Sequence, residues 1–156
     1  MLKFNLIRDK VLVHQPTRAQ ISKWLRASIV DRYANTILTI SLVDAPSSQS
    51  LNKHYRGIDK ATNVISLEYA ASRTEFNLLS GELILCDSVI VTEAEAQGKE
   101  VLDHYVHMLV HGMLHLQGYD HQDDAETELM EQLEIKILAR LGFANPYAIT
   151  QQAKPI

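Results

Sequence analysis

The sequence has little of several features that mark whole classes of protein. Only one of its 156 residues is a cysteine, Cys86, so no disulfide can form within the chain, which suits a reducing compartment. Its longest unbroken apolar runs are about four residues, far short of the roughly 20 that a membrane-spanning helix needs. Polar side chains interrupt the first residues every two or three positions, unlike the apolar core of a signal peptide. We therefore expect a cytoplasmic protein without a membrane segment.

The chain also lacks an excess of positive charge. It has 15 lysines and arginines against 19 aspartates and glutamates, a net charge of −4 with neutral histidines. This balance disfavours a protein that coats nucleic acid non-specifically, because such binding depends on many lysine and arginine contacts to phosphate. Local contact with a nucleic acid stays open.

The order of the predicted elements indicates an α+β fold in a single domain over residues 1–156. Alternating or β-branched patterns predict four strands, at 2–7, 37–43, 62–69 and 81–86. Helices are predicted from residue 17, from residue 44 to residue 56, and over roughly 88–97, 101–117 and 123–141. We expect one layered domain in which helices cover a mixed sheet of about four strands. The tail after about residue 147 is expected to fray.

Two of the helices begin with capping signals. Thr17 is followed three residues later by Gln20, which is a capping box, and Asp123 and Glu126 form a similar pair. The last helix carries an apolar stripe that we expect to be buried, formed by Met130, Leu133, Ile137 and Leu141. Charged side chains are expected to lie on its outer face, namely Glu131, Glu134 and Arg140. This helix is predicted to serve mainly the core.

Histidine is the one compositional oddity, with seven residues, four of them between positions 104 and 115. At 100° per residue these four fall in a stripe about 80° wide on one face of a helix. They are His104, His107, His111 and His115. The remainder of this helix is apolar almost all round, so we expect it to be buried and its imidazoles to need partners.

The spacing of three of the histidines predicts a metal site. His111 and His115 lie one helical turn apart, and Gly118 allows the chain to reverse and bring His121 to the same point. This is the ligand spacing of the metzincin metalloproteases, and neutral nitrogen donors suit one Zn²⁺ ion. Three protein ligands leave a position for water, whose pKa zinc can lower to about 7. Core histidines that bond only to backbone carbonyls are the disfavoured alternative.

Three neighbours of this triad are left with alternative roles. His107 precedes the triad by one turn and either orients a ligand or belongs to the core, and His104 is a weaker candidate of the same kind. Asp120 either orients a ligand or only shapes the turn, and the turn is slightly favoured.

The residue after the first histidine of the triad is Gly112. In metalloproteases this position holds the glutamate that serves as the general base. Because glycine cannot take a proton, peptide hydrolysis by that route is disfavoured.

A second cluster, at 53–66, concentrates positive charge in an otherwise acidic chain. Arg56 is its candidate for chemistry, because a guanidinium stays charged and can bind two phosphate oxygens at once. Beside a metal ion, such a group could hold and polarise a phosphodiester. Taken alone, the cluster fits a solvated basic loop better.

Together these segments resemble the YbeY family of bacterial endoribonucleases. The resemblance lies in HGMLHLQGYDH at 111–121, in YRG at 55–57 followed by KATNVIS at 60–66, in GELI at 81–84 and in LGF at 141–143, and it covers nearly the whole chain. The family often has proline, phenylalanine and aspartate at three positions that here hold Ala61, Leu67 and Glu82. None of these three is a predicted metal ligand, and any role for Glu82 is left open.

The resemblance implies a zinc-dependent, single-strand-specific endoribonuclease that acts in maturation of the small-subunit rRNA 3′ end and in ribosome quality control. It implies His111, His115 and His121 as zinc ligands and Arg56 as the catalytic arginine. Implied partners are single-stranded RNA, the rRNA of the small subunit, small-subunit ribosomal proteins and a GTPase of the Era type. Two alternatives are kept: a zinc hydrolase of peptides or amides, and a non-catalytic ribosome-assembly factor with a structural zinc ion.

Overall fold

The computed structural model describes residues 1–10, 12–31, 33–69 and 77–148. In chain order its elements are β1 (Leu2–Arg8), α1 (Arg18–Ser28), β2 (Asn35–Val43), α2 (Ala45–Arg56), β3 (Val64–Glu68), β4 (Leu78–Cys86), α3 (Asp87–Gln97), α4 (Val101–Leu116) and α5 (Asp124–Arg140). The strands form one sheet in the order β1-β2-β4-β3. Strands β1, β2 and β4 are parallel, and β3 pairs with β4 in the antiparallel sense. The predicted α+β fold with a four-stranded mixed sheet is confirmed.

Helix α4 lies at the centre of the core, as its apolar composition predicts. It packs against β3 and β4 on one side, while α1, α3 and α5 surround it. Of its 16 residues, 11 are buried, including His104 and His107. A helix that is apolar almost all round can bury every face only in such a central position.

The predicted capping signals form as hydrogen bonds. The Thr17 hydroxyl accepts the backbone N–H of Gln20 at 3.1 Å, and the Gln20 side-chain carbonyl accepts the backbone N–H of Thr17 at 2.8 Å. At the start of α5 the Asp123 carboxylate accepts the backbone N–H of Glu126 at 2.8 Å. Each cap contributes about 1 kcal/mol to stability. These helices therefore begin where the sequence predicts.

The strand boundaries differ from the sequence prediction by a few residues. Strand β4 begins at Leu78, three residues earlier than predicted, because β2 pairs with it along its whole length, from Asn35 opposite Leu78 to Val43 opposite Cys86. Strand β3 is shorter than predicted and covers only Val64–Glu68. The length of a central strand therefore depends on its hydrogen-bonding partners as well as on its own hydrophobic pattern.

The structure corrects the prediction for one side chain, and most of the predicted tail lies outside the described residues. Glu134, predicted on the charged outer face of α5, is 1% exposed and belongs to the interior. Of the tail predicted to fray, after about residue 147, residues 149–156 lie outside the described residues. Within the described ranges, no helix has both the length and the apolar character to cross a membrane.

Candidate metal centre

The structure brings the three predicted metal-binding histidines together. His111 and His115 project from successive turns of α4, and their Nε2 atoms lie 3.1 Å apart. The ring of His121 lies 5.7 Å from that of His111 and 5.0 Å from that of His115, measured between centroids. One ring nitrogen from each residue falls within 4.8 Å of those of the other two. This group could hold a metal ion.

A tight turn after α4 returns the third histidine to the helix. Gly118 has a φ of 96°, a backbone conformation that residues with a Cβ rarely adopt. Its N–H donates to the carbonyl of His115 at 3.0 Å, and the N–H of Tyr119 donates to the carbonyl of Leu114 at 3.0 Å. The Asp120 carboxylate then accepts the backbone N–H of His121 at 2.8 Å. This bond fits the turn-shaping role for Asp120, and the same oxygen lies 3.9 Å from Nδ1 of His121, the ring that it would orient in its other predicted role.

The hydrogen bonds of His111 fit it for metal binding. Its Nδ1 lies 2.8 Å from Oε1 of Glu134, and a carboxylate can only accept, so Nδ1 carries the proton. Its other ring nitrogen, Nε2, is directed at Nε2 of His115. Two nitrogens bound to one tetrahedral zinc ion at about 2.05 Å lie about 3.3 Å apart. The 3.1 Å separation found here matches that arrangement to a few tenths of an ångström.

The electrostatic environment keeps His115 neutral. Burial lowers its pKa to about 4, and the neighbouring rings of His111 and His121 add to the effect. The Arg56 guanidinium also lowers the pKa of His115, whereas Asp120 raises it. A neutral imidazole has the lone pair that a metal requires. Arg56 therefore lies within electrostatic reach of the triad, although it belongs to a different helix.

Arg56 is the last residue of α2 and is exposed. The last turn of this helix also carries Lys53 and His54, so its end is basic. The basic side chains of the predicted cluster, Lys53, His54, Arg56 and Lys60, are all exposed. Among them, Arg56 is the one whose charge lowers the pKa of His115.

Comparisons with known proteins agree with this fold and show the family of the chain. The solution structure of TM1509 from Thermotoga maritima superposes with a TM-score of 0.51 over 91% of this chain and 92% of that one, at 18% identity, which is a likeness of fold. The sequence model of the family described as Endoribonuclease YbeY matches residues 5–142. The chain belongs to the YbeY family.

Several relatives that carry this family name match most of the chain. The protein named Endoribonuclease YbeY from Alteromonas mediterranea is 51% identical over 141 residues, which cover 89% of each chain. Its namesake from Stenotrophomonas maltophilia strain R551-3 is 49% identical over 138 residues, 85% of each chain. That from Paraburkholderia phymatum is 46% identical over 130 residues, covering 83% of this chain and 82% of the relative.

In this YbeY-family chain, Gly112 is packed where the metalloproteases carry their glutamate. A Cβ at this position would lie 3.0 Å from Leu83 Cδ2, 3.0 Å from Val64 Cγ2 and 3.1 Å from Ser66 Oγ. The Ser66 hydroxyl donates to the Gly112 carbonyl at 2.9 Å, which holds β3 close to α4. Position 112 therefore faces the sheet, and any side chain there would press on Leu83, Val64 and Ser66.

Glu134 is the functional candidate that the sequence analysis missed. Its two carboxylate oxygens accept hydrogen bonds from His107, His111 and Tyr147, at 2.5, 2.8 and 2.7 Å. Burial alone would raise its pKa, but the hydrogen bonds from His107 and His111 outweigh burial and lower the pKa to about 2. The sequence did contain a signal for the burial of this side chain. Glu134 lies four residues after Met130 and three before Ile137, which places it on the apolar stripe of the helix.

The two remaining histidines of the stripe pair with carboxylates and do not join the triad. His104 Nε2 lies 2.9 Å from Oε1 of Glu93, and the same oxygen accepts the side-chain N–H of Asn63 at 3.1 Å. His107 reaches Glu134, which in turn contacts His111. His107 is thus connected to a predicted ligand through one carboxylate, whereas His104 joins α4 to α3 and to the start of β3.

Glu82 takes part in side-chain bonds across the sheet. Its Oε1 accepts the Ser41 hydroxyl at 3.1 Å, and its Oε2 accepts the Tyr69 hydroxyl at 3.2 Å. This carboxylate is therefore engaged by β2 and by the residue after β3.

Proposed function

We propose that this chain is a zinc-dependent endoribonuclease that cleaves single-stranded RNA, with His111, His115 and His121 as zinc ligands and Arg56 as the catalytic arginine. We further propose a cytoplasmic role in maturing the small-subunit rRNA 3′ end and in ribosome quality control. Small-subunit ribosomal proteins and an Era-type GTPase are its proposed partners. The observation that carries the proposal is the convergence of three imidazole nitrogens within 4.8 Å in a chain of the YbeY family.

The donor set favours zinc. Three neutral nitrogens are typical of catalytic zinc sites, whereas structural zinc usually has four protein ligands. When bound, zinc polarises a phosphoryl oxygen and makes water a better nucleophile at neutral pH. The exposed ring of His121 leaves the triad accessible from solvent on that side.

Arg56 is proposed to bind the scissile phosphodiester. Its guanidinium is exposed, and a guanidinium can present two parallel N–H groups to phosphate oxygens. A donor of this kind stabilises the extra negative charge that develops on the phosphate as the bond breaks. The neighbouring Lys53 would add a contact to the RNA backbone.

Peptide hydrolysis is a weaker proposal because no glutamate occupies the general-base position. Gly112 stands there and faces the sheet. Glu134 does not replace that glutamate, since both of its oxygens already accept hydrogen bonds from His107, His111 and Tyr147.

The decisive experiment offers the purified protein an RNA with the sequence of the small-subunit rRNA 3′ end, both single-stranded and as a duplex. The single strand should be cut and the duplex should stay intact. Arg56→Ala should lower the cleavage rate by roughly 10² to 10³ without changing the zinc content. Arg26→Ala, which removes an exposed arginine from α1, is the matched control and should cleave normally.

Elemental analysis supplies the metal arm of this experiment. Wild type should hold one zinc ion per chain, and His115→Ala should lose it. Cleavage of casein with the RNA left intact would favour the peptide hydrolase. An Arg56→Ala variant that keeps its zinc, its fold and full cleavage would remove the proposed arginine role. Wild type that holds zinc but cuts neither RNA nor casein would favour the non-catalytic assembly factor.

The product ends distinguish two forms of the reaction. A 5′-phosphate product would favour attack by water. Activity on RNA that carries 2′-O-methyl groups would exclude attack by the neighbouring 2′-hydroxyl.

A further inference from the structure

Glu134 joins three parts of the molecule beside the metal centre. It lies on α5, contacts two histidines of α4 and accepts the hydroxyl of Tyr147, which belongs to the segment after α5. We propose that Glu134 is a positioning residue, which, held by Tyr147, fixes the tautomer and orientation of His111 so that its Nε2 is ready for metal. This inference rests on the metal site of the proposed function but concerns the protein before metal binds.

The hydrogen bonds around Glu134 determine where the imidazole protons lie. Oε1 faces Nδ1 of His111 at 2.8 Å, while Oε2 faces Nε2 of His107 at 2.5 Å and the Tyr147 hydroxyl at 2.7 Å. A carboxylate only accepts, so each of these atoms must donate a proton. His107 is therefore protonated at Nε2 and His111 at Nδ1, opposite tautomers held by one side chain.

The burial of Glu134 and His107 makes the opposite arrangement of the imidazole protons energetically costly. Glu134 is 1% exposed, and Nδ1 of His107 is buried without a hydrogen-bond partner among the described residues. If the proton of His107 moved to Nδ1, a buried N–H would lack an acceptor and the carboxylate would face a lone pair. An unsatisfied buried donor costs about 1 to 3 kcal/mol. Nε2 of His107 therefore donates its hydrogen bond to Oε2 of Glu134, and this bond fixes the position of that oxygen.

The tautomer of His111 matters because its two nitrogens compete for one proton. Neutral imidazole side chains in water prefer the proton on Nε2, the nitrogen that here faces His115 at 3.1 Å. A proton at Nε2 would block metal binding at His111. By accepting a hydrogen bond from the Nδ1–H of His111, Glu134 selects the form that can bind metal. Outer partners of this kind typically change metal affinity 10- to 100-fold.

Tyr147 extends this support to the segment after α5. Its hydroxyl donates to Oε2 of Glu134, and its ring lies edge-on to His107 with centroids 5.6 Å apart. Loss of the hydroxyl would leave the ring packing in place and remove one of the three donors that hold the carboxylate. Tyr147 is thus a second positioning residue, acting through Glu134.

Three variants test the proposal. Glu134→Gln keeps the shape but replaces one acceptor oxygen by an N–H₂ donor. Tyr147→Phe removes the hydroxyl alone. Glu128→Gln is the matched control, since it removes one carboxylate from an exposed position of the same helix.

Two readouts that do not involve RNA cleavage are measured for each folded variant. Zinc affinity, from competition with a chromophoric chelator, should fall about 10- to 100-fold in Glu134→Gln and roughly 3- to 10-fold in Tyr147→Phe. Long-range ¹H–¹⁵N NMR spectra of the metal-free protein should show His111 protonated at Nδ1 in wild type and Glu128→Gln. Glu134→Gln should show a larger population protonated at Nε2.

The outcomes separate this inference from the proposed function. Unchanged zinc affinity and an unchanged His111 tautomer in Glu134→Gln would overturn it. If Glu134→Gln does not fold, Tyr147→Phe decides, and wild-type zinc affinity in that variant would overturn the inference. A protein that fails to cleave RNA, yet loses zinc affinity in the variants as expected, would refute only the proposed function.

Discussion

Replacing Gly112 by alanine should destabilise this protein, although the same change stabilises most helices. Alanine is favoured over glycine in a helix interior by about 1 kcal/mol. Here the new Cβ would lie 3.0 Å from both Leu83 Cδ2 and Val64 Cγ2 and 3.1 Å from Ser66 Oγ. Each separation is shorter than an ordinary contact, so the three neighbouring side chains, or the helix that carries residue 112, must shift by a few tenths of an ångström.

The magnitude follows from these two opposing effects. Overpacking of a well-packed core costs about 1 to 3 kcal/mol. The hydrogen bond from Ser66 to the Gly112 carbonyl resists separation of β3 from α4, so the strand cannot yield freely. After the gain in helix propensity, we expect a net loss of about 1 kcal/mol in the free energy of unfolding. For a chain of this length that loss lowers Tm by roughly 2 to 4 °C.

Urea and thermal unfolding of metal-free protein measure this loss, and two controls define its origin. At the exposed position Gln132 on α5, the alanine variant should be more stable than the glycine variant by about 1 kcal/mol. In a double-mutant cycle, Val64→Ala should relieve the clash and give a favourable coupling of at least about 0.5 kcal/mol with Gly112→Ala. A Gly112→Ala protein more stable than wild type, or strict additivity with Val64→Ala, would refute the reasoning.

Three further predictions follow from the metal centre, a helix cap and a buried imidazole. Zinc at 100 times its dissociation constant should stabilise wild type by about 2.7 kcal/mol and raise Tm by roughly 5 to 10 °C, as seen by scanning fluorimetry. His115→Ala should show no such shift, and a full shift in the variant would place the ion elsewhere. Asp123→Ala removes the acceptor of the Glu126 N–H at the start of α5, so it should cost about 1 kcal/mol in urea unfolding, with the m-value unchanged. An unaltered urea midpoint would contradict this role for the cap. Burial lowers the pKa of His104 below its ordinary value of 6.5, so the unfolded chain takes up a proton that the folded chain does not as the pH falls through 6.5. Stability should therefore decline on acidification in that range, less steeply in His104→Gln, and equal slopes in the two metal-free proteins would count against it.

The two halves of helix α4 use the same residue type for different purposes. His104 and His107 have their Nε2 atoms on carboxylates, which ties the helix to α3 and α5. His111 and His115 direct their Nε2 atoms at each other, toward the third histidine of the triad. The four histidines look equivalent in the sequence, but their roles differ because different side chains lie opposite each half of the helix.

The features that could be predicted from the sequence are those with local causes. Helical geometry alone places His111 and His115 on one face, and Gly118 permits the reversal that returns His121. The Thr17 and Asp123 caps likewise depend on residues only three positions away. These contacts form within a few residues along the chain, so spacing was enough to identify them.

Only the tertiary structure decided which distant groups meet. A glutamate on α5 was assigned to solvent because charge usually lies there, yet at Glu134 burial is made tolerable by three donors from two other segments. The sequence showed only that Gly112 stands where a metalloprotease has its general base, whereas the structure shows that β3 and β4 approach so closely that a side chain there would press on their side chains. Periodicity tells which face of a helix is apolar, but it does not tell which side chains of other elements will lie against that face. That depends on how the strands and helices pack together.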